Sequence, residues 1–351
     1  MNREINLEDK PQCKPNGVYE CVDKAMKRRI LSGIRPTGKL HLGHLVGALD
    51  NWVKLQEEYD CFFMVADWHA LMSEYENPGN LKENIIDNVA DWISCGISPE
   101  KSTIFIQSHV KEHLELYTAF SIITPLGWLE RCPTYKEQLR EVTGRDLSTY
   151  GFLGYPVLQA ADILIYKAQI VPVGEDQLAH LELTREIARR FNSLYKKEIF
   201  PDAQALLTKS SRMLGLDGRK MSKSYNNFIA ISEEPENIRL KVQGMFTDPL
   251  RIKRTDPGHP EKCNVHSYYE VFAPERASEV ESVCRKAEIG CTDCKKELAE
   301  ILVKFLEPIQ EKRRQLLKNK EEIFDILEQG EKKAREIAEK TISEVKGLLN
   351  L

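Results

Sequence analysis

Nowhere in the 351 residues is there an apolar run of about 18, the length a membrane-spanning helix needs, so none is expected. The first ten residues, Met1 to Lys10, lack the apolar stretch of a secretion signal, and a cytoplasmic enzyme is the expectation. Neither sign of charge is in surplus: 50 Lys and Arg against 54 Asp and Glu give −4. A nucleic-acid partner would therefore need a local basic surface. Lys27–Arg29, Arg251–Arg254, Lys312–Arg314 and Lys332–Arg335 are candidates, although each would also serve as an ordinary solvated face. Nine cysteines, an odd number without an export signal, argue against a disulfide framework.

What the chain does have is concentrated first in Arg28–Leu49. Residues 29–34 form a short apolar run that suits a buried strand. Arg35-Pro36-Thr37-Gly38 is turn chemistry, with proline fixing φ and Gly38 free to take φ > 0. From Leu42 onward, Leu45, Val46 and Leu49 recur at helical spacing. A strand, a glycine turn and a helix start together make a place for phosphate, because the first helical N–H groups are unpaired and the dipole favours an anion. His41 and His44 lie three apart at that start and project from one face, where imidazole N–H groups could meet charge developing on a phosphate. Two surface histidines on an ordinary strand–turn–helix would look the same.

Further strands are expected at Cys61–Ala66, Thr103–Gln107 and Ile170–Val173, with a helix over Leu81–Cys95 that stops at Gly96. Strands alternating with helices imply right-handed crossovers and a parallel sheet, whose ligands collect at the carboxyl ends of the strands. Arg35, Asp67 and Gln107 fall there. Residues 110–168 read as mainly helical, with a polar stretch at Thr134–Arg145. Tyr155-Pro156 opens a helix on which Tyr155, Gln159, Asp162 and Tyr166 share a face opposite apolar Val157, Leu158, Ala161, Leu164 and Ile165. That stripe suits a small ligand that is both polar and aromatic, though solvent exposure produces the same pattern. Asp176 and Gln177, at the start of a helix over 175–191, could hold an ammonium group.

Leu214–Asn227 reads as a loop turned at Asp217-Gly218. It carries Lys220-Met221-Ser222-Lys223-Ser224, two lysines on a movable segment suited to clamping a polyphosphate and then releasing it. From Asn237 the pattern is helical, with long amphipathic helices at Leu298–Leu317 and Ile323–Leu349, hinged near Asn319 and weakened at Gly330. The expected fold class is α/β: a Rossmann-like parallel-sheet catalytic domain (28–225), an α-helical C-terminal domain (226–351) and an N-terminal extension (1–27).

Cys263, Cys284, Cys291 and Cys294 crowd into 32 residues while the other five cysteines are scattered. Cys291-Thr-Asp-Cys294 offers two thiols from one turn, the usual half of a tetrathiolate site. Lys262, Arg285, Lys286, Lys295 and Lys296 surround the four and could favour thiolate. On this chemistry zinc, an iron–sulfur cluster and plain buried thiols all remain open.

His41-Leu-Gly-His44 followed by Lys220–Ser224 matches the paired signatures of class I aminoacyl-tRNA synthetases. With Ser32–Gly38, Asp67–His69, Tyr155–Asp162, Val171–Gln177 and Asp256–Val265, the chain from about 29 to 350 resembles the bacterial tryptophanyl branch of that family. The resemblance implies that the enzyme activates L-tryptophan with ATP and Mg²⁺ and then charges tRNA(Trp), working as a homodimer off the membrane. It implies catalytic roles for His41, His44, Lys220 and Lys223, and ATP contacts from Arg35, Thr37, Gly43, Lys136, Asp176, Met221 and Ser222. Tryptophan would be held by Tyr155, Gln159, Asp162, Gln177, His69, Val171 and Val173, with Asp162 receiving the indole N–H. A branch of the family with a similar four-cysteine arrangement carries a [4Fe–4S] cluster, which tips that choice toward iron–sulfur over Zn²⁺. Three departures stand out: Gln159 where many members have methionine, Leu31 where an aromatic is common, and histidines at both ends of 41–44. A tyrosyl enzyme also carries a Tyr–Gln–Asp triplet, and a carboxylate accepts from phenol as well as indole. Ala160, Ala161, Val171 and Val173 leave the width a bicyclic ring needs. A synthetase-like binding paralogue and a nucleotidyltransferase are the alternatives from other classes.

Overall fold

The structure, a computed structural model, describes residues 27–133, 135–136, 146–207, 213–223 and 225–351. The expected extension, apart from Lys27, and most of the polar stretch 134–145 lie outside the described residues, as does Ser224. In chain order the elements are β1 (Arg29–Ile34), α1 (Leu42–His44), α2 (Asp50–Glu58), β2 (Asp60–Val65), α3 (Asp67–Glu74), α4 (Leu81–Ser94) and β3 (Ser102–Ile106). Then come α5 (Glu112–Ile123), α6 (Leu126–Glu130), α7 (Tyr150–Ile165), β4 (Ile170–Val173), α8 (Leu178–Tyr195) and β5 (Gln204–Leu207). The rest is helical: α9 (Pro235–Gln243), α10 (Asn264–Phe272), α11 (Pro274–Arg285), α12 (Cys291–Lys318) and α13 (Lys320–Leu349).

All five strands are parallel, in the order β3-β2-β1-β4-β5. β2 and β3 are buried on both faces, as continuous apolar runs in a parallel sheet must be. The strand order reverses between β1 and β4, so a crevice opens at their carboxyl ends, beside Ile34 and Val173. β5 escaped sequence reading because Gln204–Leu207 is a short edge strand with no clean alternation and two exposed ends. One core layer holds α1, α2, α4 and the helices from α9 to α12, with Trp52 stacked on Phe63 at 4.3 Å. The other lies under α5, α7 and α8 and takes Ala334, Ala338, Ile342 and Val345 from α13.

The two long C-terminal helices break at Asn319 as expected, but α12 starts seven residues earlier than the apolar pattern indicated, at Cys291. Gly330 is not a weak point. A Cβ there would stand 1.8 Å from the Ile104 carbonyl oxygen, so glycine is what lets α13 close directly onto the backbone of edge strand β3. Lys333 pairs with Asp60 and Glu331 with His109 along the same seam. From α12, Arg313 Nε–H reaches buried Asp91 of α4 at 2.7 Å, and Gln310 donates to the carbonyls of Ile231 and Glu233. No helix among the described residues is long and apolar enough to cross a membrane.

Candidate functional site

The crevice is a cavity of about 810 Å³ whose lining draws on β1, α1, α3, α7, β4, α8 and the 213–223 loop. It gathers every candidate residue for catalysis, nucleotide and amino acid except Lys136, which is exposed and does not line it. Leu31, the departure on β1, also lines it.

At one end sits the histidine turn. β1 delivers the chain to Gly38, whose φ of +102° requires glycine, and the turn ends on His41, which caps the short helix α1. The backbone N–H of His41 donates to His44 Nδ1 at 3.3 Å, and the two rings lie 3.8 Å apart. Residues 229–231 brace the turn: Leu42 N–H donates to the Ile229 carbonyl and Ile231 N–H to that of Leu40. The lysine loop closes over it. Gly43 N–H donates to the Met221 sulfur at 3.3 Å, which joins two motifs 178 residues apart. Lys223 Nζ donates to the Gly38 carbonyl. The sequence did not flag Asn227, whose amide donates to Asp217 and the Lys220 carbonyl while its oxygen accepts from Ser222 N–H, pinning the loop at its base.

Cations crowd together here, and their ionisation shows it. Burial and then Lys223 push His41 down to about 4. Burial, with His41 and Lys223 adding, takes His44 well below its ordinary value. Burial and neighbouring Arg35 lower Lys223 to about 8, and burial lowers Arg35. A polyanion placed among these groups would favour their charged forms against the burial that chiefly depresses them.

The other end is built differently. Asp162, 2% exposed, accepts from Gln107 Nε2 at 2.8 Å, His113 Nδ1 at 2.6 Å and His69 Nε2 at 2.7 Å. Burial alone would raise its pKa; the hydrogen bonds and charge of His113 and His69 outweigh that and hold it at about 2. Tyr155 and Gln177 flank His180, with the Tyr155 hydroxyl 2.7 Å from Nε2 and Gln177 Oε1 accepting from Nδ1 at 3.0 Å. His180 was missed, although its spacing of three from Gln177 at a helix start placed it on the same face. Gln159 lines the cavity half-buried, while Tyr166, which shared its stripe, lies wholly buried beneath it.

The sequence model of the family described as tRNA synthetases class I (W and Y) matches residues 24–307. The tryptophan–tRNA ligase of Thermotoga maritima is 54% identical over 326 residues, covering 92% of this chain and 99% of that one. That of Aquifex aeolicus is 46% identical, covering 92% and 100%. The crystal structure of Campylobacter jejuni tryptophanyl-tRNA synthetase, complexed with ADP and tryptophan, superposes with a TM-score of 0.84 at 34% identity, over 92% of this chain and 100% of that one. The chain belongs to the class I tRNA synthetases.

Away from the cavity, this class I synthetase gathers its late cysteines at the start of α12. The seven described cysteines are all free thiols. Cys291 and Cys294 sit in the first turn of α12 rather than in a free turn, with Gly290 before them. Arg251 Nη1 lies 3.8 Å from Cys284 Sγ and 4.0 Å from Cys291 Sγ. Cys263 and Cys284 both act on the ionisation of Cys294. The expected lysine and arginine ring is corrected: Arg285 pairs with Glu261 and Glu281, Lys295 donates to the Gln243 carbonyl, and Arg251 is the cation at the sulfurs. Burial dominates, raising Cys284 and taking Cys294 up to about 12. Among the described residues no three or more Cys, His, Asp or Glu are arranged to hold a metal ion, so the four-cysteine metal centre expected from the sequence is not assembled as such.

Proposed function

We propose that the chain is a tryptophan–tRNA ligase in which the two ends of the cavity divide the work. The supporting observation is the Gly43–Met221 contact, which brings the two signatures together in a cavity that Asp162 also lines. Asp162 takes the indole N–H, and Tyr155 with Gln177 takes the ammonium group. His69, Gln159, Val171 and Val173 frame the ring. ATP, entering as its magnesium complex, lies along Arg35, Thr37, Gly43, Asp176, Met221 and Ser222. A tryptophan carboxylate oxygen bonds to the α-phosphorus as the bridge to the β-phosphate breaks, giving tryptophanyl-adenylate and pyrophosphate. No protein nucleophile is required, so the rate rests on positioning and on charge neutralisation by His41, His44, Lys220 and Lys223. The terminal ribose hydroxyl of the tRNA then takes the acyl group and AMP leaves. Phenylalanine would leave the one remaining acceptor site of buried Asp162 unfilled, which supplies discrimination on the order of 10⁴ without editing.

ATP–pyrophosphate exchange across the twenty amino acids tests this. Tryptophan alone should support exchange; tyrosine-dependent exchange would move the chain to the tyrosyl branch.

Residues 226–351 are proposed to read the tRNA, the rest of the described chain to do the chemistry. Affinity for tRNA should then fall steeply with salt. A homodimer belongs to the same reading and is supported by exposed Ile122, Leu126 and Tyr150. The four cysteines are proposed to hold a [4Fe–4S] cluster. Two of the sulfurs share the Arg251 guanidinium, which suits the negative charge of such a cluster. It would tie α11, α12 and Cys263 together. Anaerobically purified protein should be brown with about four irons per chain; one zinc instead, or no metal, rejects it.

A further inference from the structure

His113 and Tyr166 do not line the cavity, yet both are wholly buried and hydrogen-bonded to each other, and His113 bonds its floor. His113 Nδ1–H donates to Asp162 Oδ1, and Nε2 lies 2.7 Å from the Tyr166 hydroxyl. The His113 ring packs against Phe105, which lies 27° off parallel with centroids 6.1 Å apart, and edge-on to Tyr166. Tyr166 in turn stacks on Phe62 of β2.

An ionised carboxylate offers about four lone-pair sites, and a buried one that goes unfilled is costly. Gln107 and His113 fill both sites on Oδ1, and His69 fills one on Oδ2. One site on Oδ2 is left, and Oδ1 is pinned, so the carboxylate cannot rotate to present another. The imidazole has the same restriction. Turned over, it would set carbon against both Asp162 and Tyr166, and the Tyr166 hydroxyl is what makes that turn unfavourable. In a core otherwise built of Phe62, Phe105 and Leu164, such a polar chain is not needed for packing.

We propose that His113, locked by Tyr166, is a positioning residue that holds Asp162 in one orientation with a single free acceptor site, so that a lone ring N–H in the plane of a bicyclic side chain is selected. This rests on the reading of Asp162 as the indole acceptor.

The test compares kcat/KM for tryptophan and for β-(3-benzothienyl)alanine, in which sulfur replaces the ring N–H, by amino-acid-dependent pyrophosphate exchange. Tyr166→Phe should raise the KM for tryptophan about three- to tenfold, the worth of one hydrogen bond, and leave the KM for ATP unchanged. The tryptophan-to-analogue ratio should fall by the same factor, because the analogue never uses the carboxylate. His113→Asn, whose amide stands where Nδ1–H does, should keep more of the ratio than His113→Leu. If Tyr166→Phe lowers the melting temperature and both substrates decline in step, the role is structural and the proposal is overturned. Asp162→Asn separates the two layers. A ratio unmoved by Asp162→Asn means that Asp162 is not the N–H acceptor. A ratio that collapses with Asp162→Asn but not with Tyr166→Phe or His113→Leu refutes the positioning role alone.

Discussion

Around Asp162, the side chains of His69, Gln107 and His113 bond the carboxylate and Tyr155 and Gln177 bond His180, whereas around Lys223 basic groups gather with few side-chain partners. Asp162 has three donors and stays ionised although buried, because those hydrogen bonds stand in for water. At His41, His44, Arg35 and Lys223 burial instead disfavours the charged form, and neighbouring cations lower His41, His44 and Lys223 further. A small amino acid is recognised by geometry set in advance, so its end can be rigid. A triphosphate that arrives, changes charge and departs is better served by cations whose full charge is restored only when the anion is present. The loop that carries Lys220 and Lys223 is pinned by Asn227 at its base and anchored in the core by Met213 and Met221.

The sharpest way to break the comparison is Lys223→Ala. Removing one donor from the developing pyrophosphate should lower the exchange rate about 10²- to 10³-fold, while the KM for tryptophan changes little; comparable losses in both would erase the distinction between the ends. Asp162→Ala should do the reverse, cutting kcat/KM for tryptophan by about 10- to 100-fold, the worth of a hydrogen bond to a charged group. ATP affinity, read by equilibrium titration, should barely move. His180→Phe removes the partner of Tyr155 and Gln177. A rise of about three- to tenfold in the KM for tryptophan is expected, and an unchanged value would take His180 out of the ammonium site.

The smallest expected effect is with pH. Lys223 is lowered to about 8, so in the free enzyme it loses its proton, and its charge, as pH rises through that value. kcat/KM for ATP should therefore decline above about pH 8, and Lys223→Arg should flatten the decline. Asp162, held at about 2, gives no such break near neutrality.

Much of this division was readable before the fold. The strand at 29–34, the helix start at Leu42 and the Gly96 stop are local, set by apolar runs, Pro36, Gly38 and Gly96, and lie within a residue of expectation, whereas Leu45–Leu49 widens into a π-helical turn. Lys136, a candidate for phosphate contact, is exposed and does not line the cavity, because the direction of an exposed side chain is not set by its neighbours in sequence. The cysteine neighbourhood was misjudged for a related reason. Counting basic residues near Cys284 and Cys294 could not foresee that Arg285 turns to Glu261 and Glu281, that Lys295 goes to the Gln243 carbonyl, or that Arg251 arrives from another segment.

The residue types of the site, and the elements that carry them, follow from the chain alone, since turns, caps and helical faces depend on neighbours a few positions away. Tertiary structure decided the partnerships. Gly43 meets Met221 across 178 residues, Asp162 finds Gln107, His69 and His113 on three separate elements, and Gly330 is read as a helix defect until Ile104 lies against it. Each is a contact between segments with no local signature. Whether a buried polar group is satisfied, or a glycine required, is therefore settled only when the sheet and helices close around it.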